Sequence, residues 1–242
     1  MSLLCLDIGN SRTKAGIFEG DDLREVRSFS SREIVDKVGQ LLNGSIEAAV
    51  VSSVVPSVIE VMMKEFKKHG VPEVILVRHT TTGRLKLKIK NPETLGPDRL
   101  SEAVGAYEMA GTTSVVIDAG TATTTTIVDA DGNLIGGTIM PGIEMMLRCL
   151  HEKTAALPQV EPFSWERPFG IDTKSSIMAG VLYSTLGLLE KVIEEVHRMY
   201  GQPVVFLTGG RAEVLRPYMR DAVYEPYLTL LGMKAIYERR HR

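Results

Sequence analysis

"LDIGNSRTKAGIF", the stretch from Leu6 to Phe18, is an apolar run that ends in an aspartate, followed by a polar turn and a second apolar run. The alternation of apolar and polar residues around the turn predicts a β-hairpin with Asp7 and Gly9 at its tip. In such a turn, glycine permits close approach of a ligand, N–H and hydroxyl groups bind phosphate oxygens, and a carboxylate binds a hydrated cation. Lys14 adds a positive charge. The same residue types are common in turns that bind nothing, so the motif alone leaves both interpretations open.

The pattern returns in the second half of the chain. When the sequence is shifted by 111 positions, "VVIDAGTATTTTIVDADGNL" lies over the N-terminal stretch without a gap, with Asp118 over Asp7, Gly120 over Gly9, Thr121 over Asn10 and Leu134 over Leu23. Each copy has an apolar run, D-x-G, a polar turn, a β-rich strand and an acidic turn. We therefore expect a duplicated unit whose two D-x-G turns face each other across a cleft and bind the phosphate tail of a nucleotide and its metal.

Strands and helices alternate after each copy. In the first half we expect a helix from the serine-capped "SSREIVDKVGQLLNG" that ends at Gly44, a strand "EAAVVSSV", a helix from Pro56 to Gly70 and a strand "EVILV". In the second half we expect helices at 141–154, 173–200, 211–219 and 226–239, a Pro-rich connector at 158–168 and a strand "PVVFLTGG". This order predicts an α/β fold with two related halves, residues 1–111 and 112–242, and a helix between them that bridges the halves.

Composition excludes several classes of protein. The net charge of the 242-residue chain is −2, which does not indicate a nucleic-acid or anionic-membrane surface. Cys5 and Cys149 lie in apolar stretches, which predicts free thiols and a reducing compartment, and the scattered histidines do not form a zinc-binding pattern. The N-terminus lacks the basic segment of a signal peptide, and "SIMAGVLYSTLGLL" is shorter than a membrane span. We expect a cytoplasmic protein without a membrane or nucleic-acid partner.

Three further motifs carry polar chemistry. "LGPDRL", Leu95 to Leu100, places an Asp-Arg pair at a predicted helix start, where a helix cap with a surface ion pair is the commoner use. "GGTIMPG" and "TGGRAEV" each contain a glycine pair and are expected at strand–helix junctions. Glycines at such a junction admit a flat or anionic ligand, but they also occur in ordinary loops.

Taken in order, D-x-G-N-S, G-P-D-R, D-A-G-T-A-T-T and G-G-T-I-M-P-G span about 140 residues, and the chain resembles the type III pantothenate kinases nearly from end to end. These enzymes belong to the acetate-and-sugar-kinase, Hsp70 and actin superfamily. The resemblance implies a duplicated ribonuclease-H-like (actin-like ATPase) fold, with mixed sheets flanked by helices. It also implies transfer of a phosphoryl group from ATP to the terminal hydroxyl of pantothenate, the first step of coenzyme A synthesis. Its further implications are a homodimer with the substrate pocket completed by the partner subunit, magnesium, and a monovalent cation, potassium or ammonium.

The resemblance also implies roles for individual residues. Asp98 would be the catalytic base, Asp118 would hold the monovalent cation, and Asp7 would approach the magnesium. The ATP-binding residues would be Asp7, Ile8, Gly9, Asn10, Ser11, Arg12, Thr13, Lys14 and Thr121. The pantothenate-binding residues would be Ile89, Gly96, Pro97, Asp98, Arg99 and Thr173. Arg99 is the residue type that pairs with a carboxylate such as that of pantothenate.

One position departs from the family pattern. Ile89 occupies the place where the family usually has a tyrosine of the substrate pocket, which puts the identity of the acceptor in question. Two alternatives therefore stay open beside a pantothenate kinase. One is a kinase for a different small hydroxylated acceptor. The other is a non-catalytic binding or regulatory protein, against which the presence of Asp7, Asp98, Arg99 and Asp118 counts.

Overall fold

Both predicted hairpins are present in the computed structural model, which describes residues 2–42 and 46–241. The chain divides into two units. The first comprises Met1–Met109 and Tyr227–Arg242, and the second comprises Ala110–Pro226. The break after residue 109 lies close to the predicted one after residue 111, but the C-terminal segment belongs to the first unit.

The first unit contains a five-stranded sheet in the order β3-β2-β1-β4-β5. The first three strands are antiparallel neighbours, and β4 and β5 run parallel to β1. The strands are β1 (Ser2–Ile8), β2 (Arg12–Glu19), β3 (Asp22–Ser30), β4 (Ala48–Ser53) and β5 (Glu73–Leu76), followed by the short β6 (Lys86–Leu87). Because β1 and β4 are buried over nearly their whole length, they form the centre of this unit.

Helices connect these strands. Ser30 caps a 3-10 turn, Ser31–Glu33, through a capping box with Glu33. This turn leads into α1 (Ile34–Leu41); the predicted end of that helix at Gly44 lies outside the described residues. The other two helices are α2 (Pro56–Lys68), which has proline in its first turn as predicted, and α3 (Pro97–Ala110).

The second unit repeats the strand topology of the first. Its strands lie in the order β9-β8-β7-β10-β11, with three antiparallel neighbours and two parallel ones. They are β7 (Ser114–Ala119), β8 (Ala122–Val128), β9 (Asn133–Pro141), β10 (Val204–Thr208) and β11 (Val223–Tyr224). The helices of this unit are α4 (Ile143–Glu152), α5 (Thr173–Tyr200) and α6 (Ala212–Leu215), which a 3-10 turn follows. The last helix of the chain, α7 (Leu228–Arg240), belongs to the first unit. The predicted α/β class with mixed sheets flanked by helices is confirmed.

The gapless alignment of the two hairpins conceals two length differences that cancel. Ile8 pairs with Thr13 in the first hairpin, whereas Ala119 pairs with Thr123 in the second, so the second D-x-G turn is one residue shorter. The next turn is one residue longer, since Val128 pairs with Leu134 where Phe18 pairs with Leu23. On β2 and β8 the equivalent residues are therefore 110 positions apart.

The C-terminal helix differs from the prediction in its location. The sequence places it in the second half, but α7 packs against β1, β2 and β4 of the first unit. Two glycines explain how closely it approaches α3. A Cβ atom on Gly232 would lie 1.7 Å from the Ser101 carbonyl oxygen, and one on Gly105 would lie 2.7 Å from the Leu228 carbonyl oxygen. Helix backbones in such proximity require glycine at the contact.

The long helix α5 has the bounds that the sequence predicts. It is long and apolar enough to cross a membrane by length and composition, but 44% of its most apolar window is buried within the protein. Its inward side chains, among them Met178, Leu182 and Leu189, form the core of the second unit together with strand β7. This is the pattern of a core helix. The Ile177–Leu189 stretch is thus largely buried inside its own unit.

Candidate active site

The first D-x-G turn is held in shape by one serine. The Gly9 N–H donates to the Arg12 carbonyl oxygen across the turn (3.1 Å). The hydroxyl of Ser31, the first residue after β3, donates to the Gly9 carbonyl oxygen (2.7 Å) and lies 3.1 Å from the Thr13 hydroxyl oxygen. The Ser31 N–H donates to the Ser11 carbonyl oxygen (3.2 Å). These bonds connect both sides of the turn to Ser31 and to each other.

The predicted ATP-binding residues of this turn fall into two groups. Asn10, Ser11 and Arg12 are exposed, and Gly9 and Lys14 are half-buried. Ile8 and Thr13 are fully buried, so their side chains support the turn from inside and only their backbone atoms remain for a ligand. A depression of about 340 Å³ beside the turn is lined by Ser11, Arg12, Ser28, Phe29 and Ser30. Its lining combines three serine hydroxyls and the Arg12 guanidinium, which can bind an anion, with the apolar ring of Phe29.

Asp7 and Lys14 are cross-strand neighbours at the base of this turn. The half-buried Asp7 carboxylate accepts a hydrogen bond from the Ser52 hydroxyl of β4 (3.2 Å). The Lys14 ammonium lies 5.6 Å from the centre of the Tyr227 ring, which is within the range of a cation–π contact. The first turn thus combines one oriented carboxylate, two cations, Arg12 and Lys14, and a row of donors.

The second D-x-G turn is tighter and is walled by glycines. The Gly120 N–H donates to the Ala122 carbonyl oxygen (3.0 Å), and the Gly142 N–H donates to the Thr121 carbonyl oxygen (3.0 Å). A Cβ atom on Gly142 would lie 2.4 Å from the Gly120 carbonyl oxygen. A Cβ atom on Gly209 would lie 2.2 Å from Asp118 Oδ1. Any side chain at either glycine would displace the turn or its carboxylate.

The glycine motifs therefore have a different use from the one that the sequence suggested. Gly136 and Gly137 lie inside β9 and not at its end, because the strand continues to Pro141. The glycine at the junction is Gly142, and with Gly209 it shapes the second turn. Sequence reasoning missed this pairing, although both residues stand in motifs that it singled out.

Arg211 ties the "TGGRAEV" turn to the rest of the second unit. Its N–H donates to the Ala119 carbonyl oxygen (2.8 Å), and its guanidinium pairs with the Glu144 carboxylate in the first turn of α4. Asp118 is half-buried and Thr121 is exposed, so a carboxylate and a hydroxyl remain near the surface of a turn that is fixed on two sides.

The "GPDR" motif forms the start of α3, as predicted. The Asp98 carboxylate accepts a hydrogen bond from the Arg99 N–H (2.8 Å), and a Cβ atom on Gly96 would lie 2.4 Å from Asp98 Oδ1. Glycine at position 96 therefore leaves the space that the carboxylate occupies. Asp98 is half-buried at the positive end of a helix, as is favourable for an anion.

Arg99 is a partly buried cation with a shifted pKa. Its burial lowers the pKa of the guanidinium from the usual value, while the negative charges of Asp98 and Glu102 oppose the shift. The base strength of guanidinium keeps it cationic, so Arg99 is a partly desolvated cation beside the Asp98 carboxylate. Ile89, which precedes α3 and belongs to the same unit, is half-buried.

Thr173 is the first residue of α5 and is exposed. Asp172 caps the helix through a hydrogen bond from the Ser175 N–H (2.8 Å), and hydrogen bonds from Ser175 lower the pKa of the Asp172 carboxyl. The connector before it is fixed by Tyr218, whose hydroxyl lies 2.8 Å from both the N and the O atom of Trp165. The loop that presents Thr173 is therefore anchored at both ends.

Within residues 2–42 and 46–241, the structure contains no group of three or more His, Cys, Asp or Glu side chains that could hold a metal ion. A cation at either turn would be bound by a single carboxylate, with its other ligands from phosphate, backbone or water. Asp7 and Asp118 fit this use, because each is a partly accessible carboxylate at a strand end next to a turn. Whether the two turns face each other stays a prediction.

Solved structures with this fold define the class. MreB5 of Spiroplasma citri bound to ADP aligns with 99% of this chain and 97% of its own, with a TM-score of 0.51 and 12% identity. A Campylobacter jejuni protein described as a Baf family transcriptional activator aligns over 98% of both chains, with a TM-score of 0.65 and 21% identity. The chain therefore has the actin-like ATPase and sugar-kinase fold.

The sequence comparisons define the family within that class. The profile of the family described as Type III pantothenate kinase matches residues 3–195. Proteins named Type III pantothenate kinase from Fervidobacterium nodosum and Agathobacter rectalis are 34% and 32% identical to this chain, and the alignments cover 98% and 99% of it and 97% and 98% of the relatives. The chain belongs to the type III pantothenate kinase family. It is thus a kinase, which favours an enzyme over the non-catalytic alternative.

Proposed function

We propose that the chain transfers the γ-phosphoryl group of ATP to the terminal hydroxyl of pantothenate, giving 4'-phosphopantothenate, the first step of coenzyme A biosynthesis. Membership of the family supports the reaction. The observation that carries its assignment to a site is the start of α3, where the Asp98 carboxylate is oriented by the Arg99 N–H in the space left by Gly96. Phosphoryl transfer depends mainly on positioning and charge stabilisation. A carboxylate with a fixed orientation meets the first need on the acceptor side.

In this proposal Asp98 accepts the proton of the acceptor hydroxyl, and Arg99 pairs with the carboxylate of pantothenate. Gly96 and Pro97 form the wall of the site beside them, and the exposed Thr173 hydroxyl donates a hydrogen bond to pantothenate. A loose transition state requires the proton to leave the hydroxyl only late in the transfer. The orientation of Asp98 is thus its main contribution.

The two D-x-G turns have different roles in this proposal. The exposed donors of the first turn, with Lys14, bind the phosphates of ATP, and Asp7 lies where magnesium accompanies them. Magnesium, when bound with ATP, neutralises charge on the phosphates. Asp118 in the second turn holds a monovalent cation, potassium or ammonium, and Thr121 contacts ATP. These assignments are supported by the partly accessible carboxylates and by the exposure of the donors.

We also propose a cytoplasmic homodimer. Phe169 and Ile171, in the connector just before Thr173, are 63% and 72% exposed. Exposed apolar side chains that form a patch are common at contact surfaces. Light scattering should give twice the mass of one chain, and Ile171→Asp should shift the protein towards the monomer. A wild-type protein that is monomeric at assay concentration would exclude the dimer.

An acceptor-dependent ADP-release assay tests the reaction. With ATP, magnesium and potassium present, pantothenate should stimulate ADP release by the wild-type protein, and Asp98→Asn should lower the rate by about 100-fold or more. Asp36→Asn changes an exposed acid on α1 and should retain full activity. Release that pantothenate fails to stimulate would contradict the proposal.

Ile89 favours a second candidate, a kinase for a related hydroxylated acceptor. A half-buried isoleucine offers no hydroxyl to a polar substrate. The same assay with a panel of small alcohols separates the candidates. Higher kcat/KM for another alcohol, reversed in favour of pantothenate by Ile89→Tyr, would support the second one.

A further inference from the structure

Glu102 is a buried acid on the helix that carries Asp98 and Arg99. It is 3% exposed, and α3 is buried from Leu100 to Ala106. Removing a carboxylate from water costs several kcal/mol unless hydrogen bonds or an opposite charge compensate. The sequence motifs do not account for this residue, so its burial requires a partner or a role.

One partner lies on α7. The Thr229 hydroxyl donates to Glu102 Oε1 (3.1 Å), and Thr229 is itself buried in the first turn of that helix. The two side chains can reach each other because the backbones of α3 and α7 are in close contact at Gly105 and Gly232. Glu102 is thus fixed in position by a helix from the far end of the chain.

A cation, Arg99, stands one turn earlier on the same helix. Arg99 and Glu102 are three residues apart on α3, a spacing that places side chains on neighbouring positions of one helix face. The charge of Glu102 acts on Arg99 together with that of Asp98. Two carboxylates therefore act on the charge of Arg99: that of Asp98, the preceding residue, and that of Glu102, one turn later.

We propose that Glu102 is a positioning residue that holds the Arg99 guanidinium for the carboxylate of the acceptor. With Glu102 as its buried counter-charge, Arg99 keeps its orientation without drawing the Asp98 carboxylate away from the acceptor hydroxyl. Thr229 fixes Glu102, so α7 stabilises the acceptor side of the site. This inference rests on the proposed function.

A pair of acceptors separates positioning from a general structural role. Pantothenate carries the carboxylate, and its neutral alcohol analogue, with CH2OH in place of the carboxylate, does not. Glu102→Gln keeps the size of the side chain and an acceptor for Thr229 but removes the charge. We expect the ratio of kcat/KM for pantothenate to that for the neutral analogue to fall about tenfold, mainly through the KM of pantothenate. Arg99→Gln should lower the same ratio, and the double variant should fall no further than Arg99→Gln alone.

Thr229→Val and Thr229→Ser extend the test to variants that keep the charge. Valine should lower the ratio two- to threefold, and serine, which restores the hydroxyl, should return it to the wild-type value. These variants decide the matter if Glu102→Gln does not fold. Equal effects on both acceptors, or none, would show that Glu102 and Thr229 serve only the packing of α3 and α7. A wild-type protein that phosphorylates neither acceptor would overturn the proposed function, and this inference with it.

Discussion

The two D-x-G turns share one scaffold and differ in what surrounds them. The first is longer by one residue, presents the exposed Asn10, Ser11 and Arg12, and is braced by hydroxyl groups at Ser31 and Thr13. The second is shorter and is enclosed by Gly142 and Gly209. Duplication supplied the same strand order and the same carboxylate position twice. The flanking residues differ, so that one unit has an open turn with exposed donors and the other has a closed turn around a carboxylate.

The largest expected effect comes from removing the carboxylate of Asp7 or of Asp118, which we propose bind different cations. Asp7→Asn and Asp118→Asn should each lower kcat/KM by about 100-fold, as expected for loss of a charge that stabilises the transition state or its cation. Asp7→Asn should raise the magnesium concentration needed for half-maximal rate. Asp118→Asn should instead raise the potassium requirement and leave the magnesium requirement unchanged. Titrations of both ions with both variants measure this, and identical responses would refute the division of roles.

The close packing of glycine against the second turn can be tested by a substitution at Gly209. Gly209→Ala should lower the free energy of unfolding by about 3 kcal/mol, because the new Cβ overlaps Asp118 Oδ1 and Gly209 has a φ of 98°. Gly210→Ala is the matched control, since a Cβ at this neighbour meets no atom of the described residues within 4 Å. It should leave stability unchanged or raise it by up to about 1 kcal/mol. Urea unfolding of both variants is the measurement, and equal losses would contradict the packing argument.

The cation of the first turn gives a smaller effect on activity. Lys14→Met should raise the KM for ATP by about tenfold, because the turn would lose its ammonium while keeping its backbone donors. Lys64→Met, at an exposed position on α2, is the control and should not change it. If Lys14→Met has the wild-type KM for ATP, Lys14 does not contribute to ATP binding.

The smallest effect compares equivalent threonines on β2 and β8. The Thr13 hydroxyl is hydrogen-bonded to Ser31, whereas Thr123 Oγ1 is buried without a hydrogen-bond partner among the described residues. Thr13→Val should therefore lower the free energy of unfolding by about 1 to 2 kcal/mol, and Thr123→Val should leave it unchanged or raise it slightly. Thermal unfolding with calorimetry resolves the sign of each change. A destabilising Thr123→Val would show that its hydroxyl has a partner when the protein is in solution.

The sequence predicted those features that depend on local patterns. Two D-x-G hairpins, the long α5 and the placement of "GPDR" at the start of α3 follow from hydrophobic period, capping residues and turn chemistry. The unequal turn lengths were hidden because one deletion and one insertion cancel over a few residues. A gapless alignment cannot reveal such a pair.

The features that the sequence missed depend on tertiary contacts. The apolar pattern of α7 shows that it is buried but not against which unit, and the contact is made by Gly105 and Gly232, far apart in the chain. The glycine pairs at 136–137 and 209–210 look alike in sequence, but one pair lies inside a strand and the other beside Asp118. The family resemblance includes Thr13 in the phosphate loop, and only the pairing with Ser31 reveals that its hydroxyl is hydrogen-bonded inside the protein.

Transfer of a labelled γ-phosphoryl group tests most directly whether this chain phosphorylates pantothenate through Asp98. With ATP labelled at the γ-phosphorus and wild-type protein, the label should appear on the terminal hydroxyl of pantothenate, identified by mass spectrometry and fragmentation. Asp98→Asn, shown by its unfolding curve to be folded, should transfer label at least about 100-fold more slowly. Label that remains on ATP or passes to water with the wild-type protein, or transfer at the full rate by Asp98→Asn, would contradict the assignment.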